Sequence, residues 1–204
     1  MVKIEKQYQE LYGDIPKTKL GRLDYILGQI RSKKSVQGKI FSEINRIRGI
    51  EWKTIDYVIY LVPKATPRPR TGRAGHFYVS GASDYKKIFS KFYEENQDLG
   101  IITTPCEFYC TSYLPIPKDM KILDQILAEI GFIYPLKKPD FDNLAKTYSD
   151  MIQGTLLYDD CLIVKGVSKK YYSVKPRIEI RLRYMVDYDC EYNRKKIQPK
   201  TSKK

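Results

Sequence analysis

Apolar residues recur along this chain with two different periods, and segments of the two kinds are interspersed. Ile178, Ile180 and Leu182 alternate with charged residues, which predicts a strand with one buried face. Residues 141–153 place apolar side chains at helical spacing, and Gly154 follows them as a natural helix end. The mixture predicts an α+β fold with a mixed or largely antiparallel sheet flanked by helices.

The same two periods predict the remaining elements. Residues 162–173 and 176–186 are expected to pair as a β-hairpin. Residues 63–75 are rich in Pro and Gly and are expected to be an irregular loop. Residues 118–130 are expected to be an amphipathic helix, with a stripe formed by Ile122, Leu123, Ile126, Leu127 and Ile130. The other predicted elements are strands at 55–62, 76–80 and 104–114 and a helix at 83–98.

The positive charge of the chain is concentrated at its two ends. Of the formal net charge of +13, residues 1–50 contribute +6 and residues 194–204 another +6. Residues 51–193 hold 20 basic and 19 acidic side chains and are nearly neutral. This arrangement indicates a polyanionic partner, with nucleic acid favoured over an acidic membrane.

Charge and periodicity together predict three regions. Residues 1–50 are expected to be a basic helical extension, with two helical repeats separated by a break at Ser35–Gly38. Residues 51–190 are expected to be the folded body. Residues 191–204 are polar and basic and are expected to be a disordered tail.

Composition excludes several functional classes. No apolar run approaches the roughly 18–20 residues that cross a bilayer, and the N-terminus has no apolar signal-peptide core. The 4 cysteines are too few for a disulfide scaffold and lack zinc-finger spacing, and His76 is the single histidine. We therefore expect a reduced cytoplasmic protein without membrane association.

Two acidic clusters in the body carry the candidate chemistry. Asp140 and Asp142 fall at the start of a predicted helix, with Lys146 one turn later, and the pair Asp159 and Asp160 precedes a strand. Each feature taken alone has an ordinary structural explanation. The aspartates at the helix start would be capping residues, the second acidic pair would be part of a turn, and the lysine would be a solvated side chain. Together they supply the hard oxygen ligands that Mg²⁺ prefers and a lysine that can offset charge on a phosphate. The combination predicts metal-assisted phosphodiester hydrolysis.

The acidic clusters also carry a family resemblance. Residues 138–146 read KPDFDNLAK, and Asp150 and the pair Asp159-Asp160 follow them. This pattern resembles the RusA family of Holliday junction resolvases, and the similarity extends over about residues 55–186. The N-terminal extension, the helix before the motif and the basic tail depart from the family's pattern.

The resemblance implies a homodimeric, Mg²⁺-dependent endonuclease that resolves four-way DNA junctions in recombination and repair, with the body as its nuclease domain. It implies Asp140, Asp142 and Asp160 as catalytic carboxylates and metal ligands, and Lys146 as the catalytic lysine. Asp159 is a supporting candidate.

Basic side chains near these clusters are expected to contact DNA phosphates, which position a protein on its nucleic acid. They lie in the Pro/Gly-rich loop and directly before the acidic motif: Lys64, Arg68, Arg70, Arg73 and Lys138.

Three alternative functions share some of these features. A PD-(D/E)xK nuclease needs its (D/E)xK triplet after the PD, and here every such triplet precedes Pro139-Asp140. A glycosyltransferase with an Asp-x-Asp metal site gives no reason for two basic extensions. A non-catalytic structure-specific DNA-binding protein stays open, and it predicts binding that survives EDTA and no nicking with Mg²⁺.

Deleting residues 194–204 tests the role of the basic tail. Because the deletion removes 6 basic and no acidic residues, we expect weaker DNA binding and a shallower dependence of the binding constant on salt concentration. Catalysis at low salt is expected to remain. Titrations of labelled DNA at several salt concentrations measure this, and an unchanged slope would identify the tail as a solubilising terminus.

Overall fold

The computed structural model describes residues 19, 21–23, 34–65, 70–72, 75–77, 94–95 and 100–189. The chain divides into two units, Met1–Ile50 and Glu51–Lys204. The tail, most of the first predicted helix and most of the helix predicted at 83–98 lie outside the described residues.

The first unit contains helix α1 (Lys34–Arg48). On its surface Arg46 donates to Glu43 one turn earlier, with Nε 2.9 Å from Oε2. The helix runs without interruption through Ser35–Gly38, so the break predicted there is wrong. A glycine inside a helix costs only about 0.5–1 kcal/mol relative to alanine, too little by itself to end the helix.

The second unit is built on a four-stranded mixed sheet, which confirms the predicted α+β class. Its elements in chain order are β1 (Trp52–Ile59), β2 (Arg70–Gly72), β3 (Gly75–Phe77), β4 (Cys106–Pro115), α2 (Ile122–Glu129), α3 (Phe141–Ile152), a 3₁₀ turn (Asp160–Leu162), β5 (Ile163–Ser173) and β6 (Arg177–Met185). The sheet order is β1-β6-β4-β5, with β4 and β5 parallel and the other neighbours antiparallel. No helix in the described part of the chain is long and apolar enough to span a membrane.

Helix α3 covers one face of this sheet. Its residues Leu144, Tyr148 and Ile152, spaced one turn apart, are 0%, 0% and 1% exposed. They join a buried cluster with alternate residues of the central strands, among them Phe108 of β4 and Ile180 of β6. Burying one such side chain contributes about 1.5–3 kcal/mol, so this contact fixes the orientation of α3 on the sheet.

Strands β5 and β6 are consecutive in the chain but do not pair with each other, so the predicted hairpin is wrong. β4 lies between them, parallel to β5 and antiparallel to β6. Residues 174–176 connect the two strands. The alternation of buried and exposed residues is the same whether two strands pair directly or flank a third, and for this reason the pattern could not distinguish these arrangements.

Part of the segment predicted as a loop forms a second, two-stranded sheet. β2 and β3 are antiparallel, with Arg70 opposite Phe77 and Gly72 opposite Gly75. Residues 73–74, between the two strands in the chain, lie outside the described ranges. The strand predicted at 76–80 therefore begins one residue earlier, and residues 78–80 lie outside the described ranges.

Helix α2 presents most of its apolar stripe away from the core. Its buried residue is the small Ala128, which packs with Leu114 of β4 and Tyr172 of β5. Phe141, at the start of the next helix, is also 59% exposed. Four of the five stripe residues are more than half exposed, whereas Leu127 is half-buried: Ile122 78%, Leu123 67%, Ile126 55% and Ile130 60%.

The other face of the sheet carries charged side chains that the strand register places in pairs. Arg181 of β6 lies opposite Asp56 of β1, and its Nε donates to Asp56 Oδ1 at 2.6 Å. Glu107 of β4 accepts a hydrogen bond from the Tyr109 hydroxyl at 2.7 Å and another from Arg183 at 3.3 Å. The bond from Tyr109, reinforced by basic neighbours and opposed by partial burial, holds the pKa of the Glu107 carboxyl below its usual value.

Replacing Glu107 with Gln is expected to lower the free energy of unfolding at pH 7 by about 1 kcal/mol, because charge-assisted hydrogen bonds are lost. The folded carboxyl has the lower pKa, so its stabilisation is complete above the unfolded value of about 4.3. It disappears as the pH falls through the folded pKa. Urea unfolding at neutral and acid pH measures this.

The matched control is Glu51→Gln, since Glu51 is exposed and lies one residue before β1. The control should change the free energy of unfolding little at either pH. A Glu107→Gln loss of stability that is equally large at neutral and strongly acid pH would contradict the assignment.

Candidate active site

The first acidic cluster lies at the start of α3. Asp140 occupies the N-cap position with an extended backbone (φ −71°, ψ 150°), yet its side chain makes no capping hydrogen bond. Asp142 lies in the first turn, and both residues are exposed. Capping therefore does not account for Asp140, and its carboxylate is open to solvent at the positive end of a helix.

Lys146 lies one turn beyond Asp142, on the face of α3 opposite the core. Its Nζ is 3.5 Å from Asp150 Oδ2, and the two side chains are 72% and 46% exposed. Ion pairs this exposed contribute about 0–1 kcal/mol, so the ammonium can leave Asp150 for a phosphate at little cost. Asp142, Lys146 and Asp150 thus form one solvent-facing row.

The second acidic cluster precedes β5, and its two carboxylates differ in what they do. Asp159 caps the 3₁₀ turn, because its Oδ1 accepts a hydrogen bond from the Cys161 backbone N–H at 2.9 Å. A hydrogen bond to Asp159, helped by partial burial and the nearby carboxylates, raises the pKa of the Cys161 thiol. Asp160 is exposed, and no hydrogen bond to its side chain occurs among the described residues. Asp159 therefore has a structural role, and Asp160 is the carboxylate left available.

The basic residues predicted to contact DNA lie at several places. Lys64 and Lys138 are exposed. The Lys64 backbone also lies against α3, because its carbonyl accepts a hydrogen bond from the buried Tyr148 hydroxyl at 3.3 Å. Arg70 begins β2 rather than lying in an irregular loop. Arg68 and Arg73 lie outside the described residues.

One residue that contacts this region is not identified by the sequence. Lys170 of β5 donates from Nζ to the carbonyl oxygens of Lys137 and Pro139, the latter directly before Asp140. The peptide bond between Lys138 and Pro139 is cis. Several lysines occur on β5, and nothing in their spacing singles out this one.

The three predicted metal ligands are not gathered into one group. Asp140 follows Pro139, which contacts Lys170 in the C-terminal half of β5, whereas Asp160 lies before the first residue of that strand. Within the ranges that the structure describes, no three His, Cys, Asp or Glu side chains are arranged to hold a metal ion. Magnesium is usually held by one or two carboxylates with waters and substrate phosphate, so the donor chemistry of Asp140 and Asp142 fits this ion.

A concave surface lies elsewhere on the second unit. A depression of about 660 Å³ is lined by residues of all four strands of the main sheet, including Asp56, Tyr109 and Arg181. These side chains belong to the charged face, opposite the face that α3 covers. None of the candidate site residues lines this depression, and Asp140, Asp142 and Lys146 lie on the exposed surface of α3.

Comparison with known proteins identifies the family. A family model described as Endodeoxyribonuclease RusA matches residues 61–183, more than half of the chain. The uncharacterized protein YqaN of Bacillus subtilis (strain 168) is 29% identical over 135 residues, which are 63% of this chain and 95% of that protein. The matched range contains both acidic clusters, Lys146, the whole of α3 and the strands β4 and β5. The chain belongs to the RusA family of endodeoxyribonucleases.

Proposed function

We propose that this protein is a Mg²⁺-dependent endonuclease that resolves four-way (Holliday) DNA junctions by paired phosphodiester hydrolysis, in DNA recombination and repair. The observation that carries the proposal is the uncapped, exposed carboxylate of Asp140 at the start of α3, in a member of an endodeoxyribonuclease family. Because the Asp140 carboxylate does not cap the helix, it is available to bind a ligand.

Each site residue has a role in this proposal. Asp140 and Asp142, which share the start of α3, are the proposed metal ligands. Asp160 is proposed as the third ligand although the structure does not place it with the other two, and Asp159 is left to cap its turn. A divalent ion bound there would supply Lewis-acid stabilisation of phosphate oxygens and lower the pKa of water. Lys146 offsets the charge that develops on the scissile phosphate, after exchanging its weak contact with Asp150 for the substrate.

Electrostatics orient the DNA on the site. The N-terminus of α3 carries partial positive charge, which attracts a phosphate towards the acidic cluster. The basic side chains proposed to hold the flanking phosphates are Lys64, Arg68, Arg70, Arg73 and Lys138. The two charged ends of the chain, residues 1–50 and 194–204, add attraction that does not depend on DNA sequence.

Replacing Asp142 with Asn is expected to lower the rate of junction cleavage at least about 100-fold, a loss typical of removing one group that stabilises a transition state. Junction binding should be unchanged or tighter, because less negative charge then faces the phosphates. Single-turnover cleavage and equilibrium binding of a labelled four-way junction, with Mg²⁺ or EDTA, measure the two effects separately.

The matched control for this substitution is Asp119→Asn, which removes an exposed carboxylate outside α3. A linear duplex and a branched flap serve as substrate controls. Symmetric paired nicks on the junction alone support resolution. Binding without nicks in the unaltered protein would instead identify a non-catalytic structure-specific DNA-binding protein.

We further propose that the protein is a homodimer whose subunits meet through α2 and the segment after it. Burying one large apolar side chain removes on the order of 100 Å² from water, so eight represent on the order of 800 Å². Monomers rarely expose patches above about 300–600 Å², and a standard interface buries about 800 Å² per partner. Eight apolar side chains in this stretch are more than half exposed: Ile122, Leu123, Ile126, Ile130, Phe132, Tyr134, Leu136 and Phe141.

A homodimer also suits the substrate. A four-way junction has approximate two-fold symmetry, and a dimer with C₂ symmetry presents two equivalent sites to two opposed strands. Because the exposed stretch ends at Phe141, the start of α3, the proposed interface is continuous in sequence with the acidic cluster.

Replacing Ile126 with Glu is expected to weaken dimerisation at least tenfold, since a carboxylate would be buried without a partner. The melting temperature should change little, because Ile126 is 55% exposed in the subunit. Sedimentation equilibrium of both proteins measures the change, with Val62→Glu as the control at an exposed apolar residue outside the stretch. A chain that is monomeric at every concentration, or an Ile126→Glu variant as dimeric as the unaltered protein, would overturn the proposed interface.

A further inference from the structure

Lys170 makes contacts that are unusual for a surface lysine. Its side chain is half-buried on β5, where the residue pairs with the fully buried Ser112 of β4. Its Nζ donates at 3.1 Å to the carbonyl oxygen of Lys137 and at 3.2 Å to that of Pro139. A single ammonium group thus binds two backbone carbonyls in the segment that leads into α3.

Earlier in this segment, the Tyr134 ring lies 6.0 Å from the Tyr171 ring of β5 and Pro135 is buried, whereas residues 136–139 are exposed or half-buried. Among the described residues, no backbone–backbone hydrogen bond outside regular helices and strands involves residues 134–139. The first such bond after them joins the Leu144 N–H to the Asp140 carbonyl at 3.1 Å, and it belongs to the first turn of α3. The side chain of Asp140 provides no cap. Lys170 therefore supplies hydrogen bonds that join residues 137–139 to the sheet, while the buried Leu144 anchors the helix that follows.

We propose that Lys170 is a positioning residue for the acidic cluster: its ammonium fixes residues 137–139 against β5 and thereby places the Asp140 and Asp142 carboxylates. The inference rests on the proposed catalytic role of these two aspartates. Asp140 follows Pro139 directly, so a shift of the Pro139 carbonyl moves Asp140 with it. Misplacing a reacting group by about 1 Å can lower a rate about 100-fold.

The neighbouring lysine provides a matched control. Lys169 is exposed and pairs with Thr111 of β4, and both residues line the depression on the charged face of the sheet. Lys169→Met and Lys170→Met therefore each remove one positive charge while keeping a side chain of similar volume. The two positions are adjacent and lie on opposite faces of one strand. Lys170→Arg keeps a donor that can reach carbonyl oxygens and tests rescue.

Two measurements decide the role of Lys170. The first is amide hydrogen exchange in the peptide that contains residues 138–146, which reports opening of the first turn of α3 without any assay of activity. The second compares the single-turnover cleavage rate with the dissociation constant for a labelled four-way junction. Melting temperatures identify any variant that fails to fold.

We expect Lys170→Met to increase exchange in this peptide and to lower the cleavage rate about 10–100-fold, with junction affinity within threefold of the unaltered protein. Lys170→Arg should keep part of the exchange protection and part of the cleavage rate of the unaltered protein. Lys169→Met should change neither. Unchanged exchange in a folded Lys170→Met variant would overturn the inference, as would a cleavage rate equal to that of the unaltered protein. If the unaltered protein cuts no DNA, the proposed function fails, and the exchange comparison still decides whether Lys170 holds the helix start.

Discussion

The burial of one side of α3 against the central strands is the interaction on which the candidate site depends. Leu144, Tyr148 and Ile152 are almost completely removed from solvent. These residues recur every four positions along the helix. Residues two positions before each of them lie on the opposite side of the helix and therefore point outward. That row begins at Asp142 and contains Lys146, so the packing of the core decides which charged groups can reach a substrate.

The two faces of the main sheet have different physical roles. The face under α3 is apolar and supplies stability, while the opposite face is a network of charges such as Arg181 with Asp56. Arg181 and Asp56 are separated by 125 residues in sequence but lie directly opposite each other in the strand register. Exposed pairs contribute little stability individually, and their arrangement leaves this face polar and concave.

The site could be predicted from the sequence in part. The spacing of Asp140, Asp142 and Lys146 on one helix indicated a metal-assisted phosphoryl site because helical neighbours are set by local geometry. The sequence could not predict that Asp159 caps a turn while Asp160 is left exposed. Which of two adjacent carboxylates caps a turn depends on the backbone dihedral angles. Lys170 was beyond prediction, because its partners lie 31 and 33 residues away and are backbone atoms with no sequence signature.

The sequence by itself determined the class of fold, the buried face of β6 and α3, and the acidic motif of the family. Each of these follows from periodicity or spacing within a few residues, which local geometry controls. Only the tertiary structure decided that β4 separates β5 from β6, and that most of the apolar stripe of α2 faces outward while Ala128 packs inward. The physical reason is that the spacing of apolar residues specifies which side chains share one face of a helix or strand. The element that packs against that face is determined by contacts between segments distant in the chain.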